Sequence, residues 1–223
     1  MVEGFNEVSL KDMIEQLGED KVKRILSSFS CHLNKDVEEF IRLKSIGFEK
    51  MDIAPTQLVF VPHKGKLELC GYYTITLKSF CVNYSNLSKS LKKRIAKFGT
   101  LDKERKGYII PAPLIAQLGK NYRDGLDGLI SGDELLKMAL DKIHYIQRLG
   151  GGKVVYVECE DKPKLLDFYS SNGFIEFGHR RLDRDETNAY GEYLIQLLKY
   201  MDKPVVEIPH IKSDNIEKEL VHI

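Results

Sequence analysis

The chain has 223 residues, 34 of them basic and 33 acidic, for a net charge of +1. That length suits one large domain with elaborations better than two full domains, and 43% hydrophobic with 30% charged residues excludes a disordered chain. The balanced charge excludes a nucleic-acid binder that works through overall charge and leaves a local basic patch open.

Residues 1–50 read as helical. Leu10, Met13, Ile14 and Leu17 recur at helical spacing up to Gly18, and Val22, Ile25 and Leu26 extend a second stretch. Asn34 is placed to cap a helix carrying Val37, Phe40, Ile41 and Ser45 and ended by Gly47. After Pro55 the period changes. Residues 57–61 form a short apolar run closed by Pro62 and the turn Lys64-Gly65-Lys66, and residues 69–77, rich in Tyr and Thr, read as the hairpin partner. Residues 83–106 are polar, with Leu87, Leu91, Ile95 and Phe98 suited to a short helix capped by Gly99. Residues 108–118 look extended although they contain Pro111 and Pro113. Two prolines at that spacing remove donors from one edge, so the strand cannot be fully paired on that side at its start.

Ser131-Gly132-Asp133-Glu134 fits the S-x-x-E capping box, and Leu135, Leu136, Ala139, Leu140, Ile143 and Ile146 give the following helix one apolar face. Gly150-Gly151-Gly152 ends it. Residues 153–159 are a strand by β-branched content. Asp161 or Lys162 then starts a helix with Pro163 in its first turn, closing at Asn172-Gly173. Residues 174–182 and 190–200 are two further strand candidates joined by a polar turn, and residues 201–223 read as a peripheral tail. The strand–helix order of the second half requires crossovers and some parallel pairing, while the last two strands read as antiparallel. The class is mixed α/β.

Several chemistries lack their signatures. Gly65-Lys66, Gly119-Lys120 and Gly152-Lys153 are not followed by Ser or Thr, so there is no Walker A motif. G-x-S-x-G and H-E-x-x-H are missing, the histidines and cysteines share no metal-ligand spacing, and the stretch 123–128 is not an EF-hand loop. No metal is expected. Cys31, Cys70, Cys81 and Cys159 are scattered, as reduced thiols of a cytoplasmic protein would be. Met1-Val2-Glu3-Gly4 does not open a secretory leader, and no apolar run nears the roughly 20 residues that span a bilayer. The expected location is the cytoplasm, with no membrane partner.

Two segments carry chemistry. The first runs from Pro113 through Gln117-Leu118-Gly119-Lys120 and a glycine-bearing loop into the helix at Ser131. A strand feeding such a loop into a helix N-terminus suits an anion, because unpaired N–H groups and the dipole both point outwards. Equally, Gly125 and Gly128 can shape a turn and Ser131 merely cap a helix, and first-turn carboxylates at Asp133 and Glu134 oppose a phosphate. The second segment, residues 165–174, contains Phe168-Tyr169 near a helix end and Gly173-Phe174 opening a strand. Alone it reads as core aromatics and a C-cap.

In this order and spacing the two segments resemble the GNAT superfamily of acetyl-CoA-dependent N-acetyltransferases, over residues 57–200 and most strongly over 111–174. Gly71-Tyr72-Tyr73-Thr74 and Gln117-Leu118-Gly119-Lys120 are similar to the branch that includes toxin-like acetyltransferases. The resemblance implies a single domain with a predominantly antiparallel sheet and helices on both faces: a helical N-terminal part (1–50), an insertion (84–106), an acetyl-CoA-binding core (108–200) and the tail. It implies acetyl-CoA as co-substrate, with pantetheine amides pairing to the backbone of Leu118, Gly119 and Lys120. The pyrophosphate would lie at Gly128, Leu129, Ile130, Ser131, Gly132 and Asp133. Tyr169, the tyrosine of the F-Y-x-x-x-G-F motif, would be the general acid to the CoA thiolate. The loop departs from the family's Q/R-x-x-G-x-G/A pattern, since Asp127 and Ile130 stand where Gln or Arg and the first Gly are expected.

The implied reaction is acetyl transfer to a primary amine. One alternative is a toxin-like enzyme acting on aminoacyl-tRNA, with Lys89, Lys92, Lys93, Arg94 and Lys97 as the tRNA patch, although such a run is also what a solvated helix face looks like. Another is a degenerate CoA-binding regulatory module. Glu158, Glu160 and Asp161 lie at the right strand end for a base, but none stands out. The N-terminal helices and residues 84–106 are expected to wall the acceptor pocket. A homodimer is left open.

Overall fold

A computed structural model of the chain describes residues 4–183 and 191–201. The tail beyond Met201 and part of the turn before the last strand lie outside them. The chain opens with β1 (Asn6–Ser9), α1 (Leu10–Leu17), α2 (Glu19–Leu26), α3 (Lys35–Glu39), a π-helical turn (Phe40–Lys44) and α4 (Ser45–Lys50). A hairpin of β2 (Thr56–His63) and β3 (Lys66–Asn83) follows, then α5 (Lys89–Ile95), β4 (Thr100–Asp102) and β5 (Gly107–Lys120). The second half is α6 (Gly132–Gly150), β6 (Val154–Glu160), α7 (Pro163–Ser171), β7 (Ile175–Arg181) and β8 (Tyr193–Tyr200).

Local chemistry sets the helix starts. The Ser9 hydroxyl accepts from Asp12 N–H, and the Asn34 carboxamide accepts from Val37 N–H. Ser131 and Glu134 close a reciprocal capping box on α6, and Pro163 occupies the first turn of α7. Gly18, at φ 79°, separates α1 from α2 in a backbone conformation costly to other residues.

The strands form one sheet in the order β1-β2-β3-β5-β6-β8-β7, with β4 attached to β5. Only β5–β6 is parallel, because α6 carries the chain across the sheet between them. Helices cover both faces. Tyr73, Ile115, Val155 and Val157 pack on α6 through Leu135, Leu136, Ala139 and Ile143. On the opposite face Leu58 and Tyr72 pack beneath α1–α4, while Phe80, Ile110, Leu114 and Tyr156 pack against Leu91 and Ile95 of α5. Each fully buried Leu, Ile or Phe contributes roughly 1.5–3 kcal/mol.

The structure corrects several expectations. Gly47 does not end its helix; the helical path runs through the π turn to Lys50, and Phe48 packs edge-on against Phe40 at 5.6 Å. β3 is 18 residues long and continues past residue 77, because β5 pairs with it as far as Asn83. The N-terminal part also holds a strand, β1, and β4 follows α5. The proline expectation fits the register: β4 pairs with β5 up to Ile109 and β6 joins only at Leu114, so Pro111 and Pro113 fall in the unpaired stretch between.

Candidate active site

β5 is paired with β3 along its whole length, but it touches β6 only at Leu114↔Tyr156 and Ile115↔Val157. Against β3 the register slips between Thr74 and Ile75, whose partners are Gln117 and Ile115, so Ala116 is the extra residue of a β-bulge. A bulge bends its strand and leaves ladder groups unpaired. Beyond it β5 runs away from β6, and its backbone on that side has no ladder partner among the described residues.

A cavity of about 670 Å³ occupies this opening. Ala116, Gln117 and Leu118 form one wall, and Glu158, Cys159 and Glu160 form the other, together with Leu165 and Tyr169 from α7. Asp36, Phe40, Lys44 and Phe48, from the N-terminal helices, cover it. Residues 84–106 take no part in the lining, because α5 packs over the far half of the same sheet face.

The Tyr169 ring is buried between Phe168 and Phe174, with centroids at 5.0 and 5.4 Å. Burial, then the neighbouring Cys159, pushes its phenol well above the ordinary range, so it keeps its proton at any working pH. The Cys159 thiol is itself pushed up to about 12 by burial, with Asp161 and Glu160 adding to the effect. The Glu158 carboxylate accepts from Arg180 Nε at 2.6 Å and from Gln196 Nε2 at 2.8 Å. Glu160 is paired to Lys162 at 2.6 Å. Across the cavity, Gln117 Nε2 donates to Asp36 Oδ2 at 2.9 Å.

Leu118 and Tyr169 line the cavity, and the other expected binding residues are not among its lining. Gly119 faces α3, where Val37 and Tyr72 leave no room for a side chain. The Lys120 ammonium donates to the Asp127 and Ile130 carbonyls at 2.7 and 3.0 Å and so folds the loop over β5. Gly128 and Leu129 belong to a 3₁₀ turn (Arg123–Leu129), and the Ile130 side chain is buried in the α6 core. Ser131 N–H donates to Glu134 Oε2 at 2.8 Å. Gly132 lies against the Phe168 ring, and Asp133 accepts from Asn172 Nδ2 at 2.7 Å, tying α6 to α7. Of the basic run, Lys89 and Lys93 on α5 and Lys97 in the turn after it are exposed. Lys92 lies over the Tyr84 ring at 4.4 Å, and Arg94 over Tyr200 at 3.6 Å.

The sequence matches no protein-family model and no curated relative. Solved structures do match in shape. AtaT complexed with acetyl-methionyl-tRNAfMet is 19% identical with a TM-score of 0.57, over 97% of this chain and 99% of that one. AtaTR bound with AcCoA is 18% identical with a TM-score of 0.53, over 88% and 93%. A tyrosine-to-phenylalanine variant of KacT is 16% identical with a TM-score of 0.57, over 87% and 95%. The chain has the GNAT fold. In this chain β5 and β6 diverge beside the cavity, and the N-terminal helices cover it.

The residues that sequence reasoning missed are Asp36, Lys44 and Arg180. Asp36 reads as an ordinary first-turn acid and Arg180 as a polar strand residue; only the GNAT fold brings them to the opening. Among the described residues no group of His, Cys, Asp or Glu gathers to hold a metal, and no helix is long and apolar enough to cross a membrane.

Proposed function

We propose that the chain is an N-acetyltransferase that moves the acetyl group of acetyl-CoA to a primary amine. The observation that carries this reading is the unpaired edge of β5 beyond Ala116 beside the buried phenol of Tyr169. An extended ligand bearing amides adds to such an edge as a strand would. The pantetheine arm then pairs with the backbone of Leu118, Gly119 and Lys120, and the thioester lies at the bulge. AtaTR, of the same fold, is known bound with AcCoA.

The remaining groups follow from that placement. The pyrophosphate goes to the turn and helix start at Gly128, Leu129, Ile130, Ser131, Gly132 and Asp133. The capping box already uses Ser131 N–H there, so this end contributes less affinity than an uncapped helix start would. The amine attacks the thioester carbon, and unpaired backbone N–H groups at the bulge hydrogen-bond the oxyanion. The C–S bond then breaks. Tyr169 donates to the departing sulfur, whose ordinary pKa is about 8.5, and regains a proton from the tetrahedral nitrogen.

A second reading names the acceptor as the amino group of an aminoacyl-tRNA. The exposed stripe Lys89, Lys93 and Lys97 supports it, as does the shared fold with AtaT, known complexed with acetyl-methionyl-tRNAfMet. Lys92 and Arg94 stiffen that surface through Tyr84 and Tyr200.

Calorimetry with acetyl-CoA, together with thiol release over a panel of amines, tests the activity. Absence of binding at about millimolar acetyl-CoA, a very weak limit on the affinity scale, ends the proposal. Binding without turnover on any amine or charged tRNA points instead to a degenerate CoA-binding module.

A further inference from the structure

Four carboxylates line the cavity: Asp36, Glu39, Glu158 and Glu160. Two of them are held tightly by cations. Glu158 is bound by Arg180 at 2.6 Å with Gln196 on its other oxygen, and Glu160 is bound by Lys162 at 2.6 Å. Lys44 Nζ sits at the outer limit of ion pairing between Glu39 at 3.8 Å and Asp36 at 3.9 Å. The close partner of Asp36 is a neutral amide, Gln117 Nε2, at 2.9 Å.

The amide is oriented for this contact. Tyr72 hydroxyl donates its proton to Val37 carbonyl at 2.6 Å and stands 3.5 Å from Gln117 Oε1, while the NH₂ end of Gln117 faces Asp36. Gln117 directly follows the bulge at Ala116. Its partner Thr74 shares a strand face with Tyr72, beneath the N-terminal helices, whereas Tyr169 belongs to the core on the opposite face. The opening between β5 and β6 thus has a carboxylate above it and a phenol below it.

We infer that Asp36 receives the acceptor as its ammonium ion and takes the first proton from it, a role that rests on the acetyltransferase reading. The ammonium displaces the weak contact to Lys44, since an ion pair at that distance and exposure contributes little. The proton balance closes. R–NH₃⁺ gives one proton to the Asp36 carboxylate, which is about one-third exposed and passes it to solvent. The neutral nitrogen then forms the C–N bond. As the C–S bond breaks, sulfur takes the Tyr169 proton and the phenolate takes the second proton from nitrogen. The products are the N-acetyl amine, CoA thiol and one released H⁺.

The test compares wild type, Asp36→Asn and Asp36→Glu. Acetyl transfer to methioninamide and to methionyl-tRNA is followed from roughly pH 6 to about 9, a range that brackets the α-amino pKa near 7.7–8.0. Calorimetry in parallel measures acetyl-CoA, and then methioninamide and N-acetylmethioninamide added to the CoA complex. For Asp36→Asn the expected result is a fall in kcat/KM of about tenfold or more at neutral pH that narrows as the amine loses its own proton. Affinity for methioninamide falls in parallel, while affinities for acetyl-CoA and N-acetylmethioninamide are unchanged. Asp36→Glu, which keeps the charge, recovers part of the loss.

Equal kcat/KM and equal methioninamide affinity in wild type and Asp36→Asn overturn the inference and leave the acetyltransferase reading standing. So does a loss of acetyl-CoA affinity in Asp36→Asn, which would mark a structural role. Failure of wild type to bind acetyl-CoA overturns both.

Discussion

A Cβ atom added to Gly119 would stand 2.3 Å from Val37 Cγ1. That distance is well inside contact, and the obstacle is a short branched side chain on α3 with nowhere to swing. The absence of a side chain at Gly119 is what lets α3, and with it Asp36, lie directly over the diverging end of β5.

Replacing Gly119 with Ala is therefore expected to destabilise the fold by about 1–3 kcal/mol, the usual cost of overpacking. Urea unfolding measures it. Because the clash is pairwise, the double variant Gly119→Ala/Val37→Ala is expected to be more stable than the sum of the two single changes predicts, by roughly 0.5–3 kcal/mol. Additivity in that cycle would refute the contact.

Glu49 yields a prediction with a sign. Its carboxylate is buried and accepts from Thr56 N–H at 2.9 Å, securing the loop between α4 and β2. Burial is the largest influence and raises its pKa; the Thr56 bond and then Lys11 act the other way, and Asp52 and Asp12 add to the rise. An acid whose pKa is raised on folding holds its proton more tightly in the native state. Stability is then highest at low pH and declines as pH climbs from the unfolded value, near 4.3, through the higher folded one. Glu49→Gln keeps an oxygen for Thr56 and discards the charge. It is expected to raise Tm at neutral pH, with the gap closing as pH approaches about 4. A lower Tm for Glu49→Gln at neutral pH contradicts this. Glu49→Ala, which orphans Thr56 N–H, is expected to lose about 1–3 kcal/mol.

These two sites also mark how far the sequence could be read. The caps at Asn34 and Ser131, Pro163 on α7 and the glycines after α6 are local devices, and each stands where the residue pattern places it. β1 escaped notice because four residues carry too little periodicity. It is held from afar, with Tyr73 hydroxyl donating to Glu7 at 2.8 Å. Gly47 misled for a related reason, since the packing of Phe48 on Phe40 outweighs the weak helix preference of one glycine. Tyr169 and Leu118 are the residues that the resemblance singles out which the structure places at the cavity. Asp36 is not among them. The contact that gives it meaning joins it to Gln117 across 81 residues, and no short-range pattern encodes that pairing.

Tyr169→Phe separates packing from chemistry. The ring contacts with Phe168 and Phe174 survive the change, so thermal stability is expected to hold. Thiol release is expected to slow by about 10²-fold or more, the usual share of a positioned proton donor, with acetyl-CoA affinity unchanged. A donor must be protonated to act, and this phenol is held above its ordinary value. Wild-type kcat should therefore show no alkaline fall from this group near pH 10, where a free tyrosine titrates, to about one unit. Unchanged turnover in Tyr169→Phe removes the residue from the mechanism.

The basic stripe at α5 bears on whether a charged tRNA is the acceptor. Lys89 and Lys93 stand exposed on α5 and Lys97 in the turn that follows it, and Ser88 caps that helix by accepting from Leu91 N–H. Changing all three to Glu touches no buried contact, so Tm is expected to stay within a few degrees, as surface substitutions usually allow. If each lysine meets a phosphate, the slope of log K against log salt for tRNA binding is expected to flatten by roughly two to three, at about 0.7–0.9 per phosphate lost. Turnover on a free amine such as methioninamide should remain, because the stripe lies outside the cavity. Arg94→Ala is a contrasting control. It removes the guanidinium that lies 3.6 Å over Tyr200 and is expected to cost about 0.5–2 kcal/mol of stability. Filter binding of tRNA at several salt concentrations distinguishes the cases. A triple variant with an unaltered salt slope shows that these lysines form an ordinary solvated face and that any tRNA binding runs through other cations.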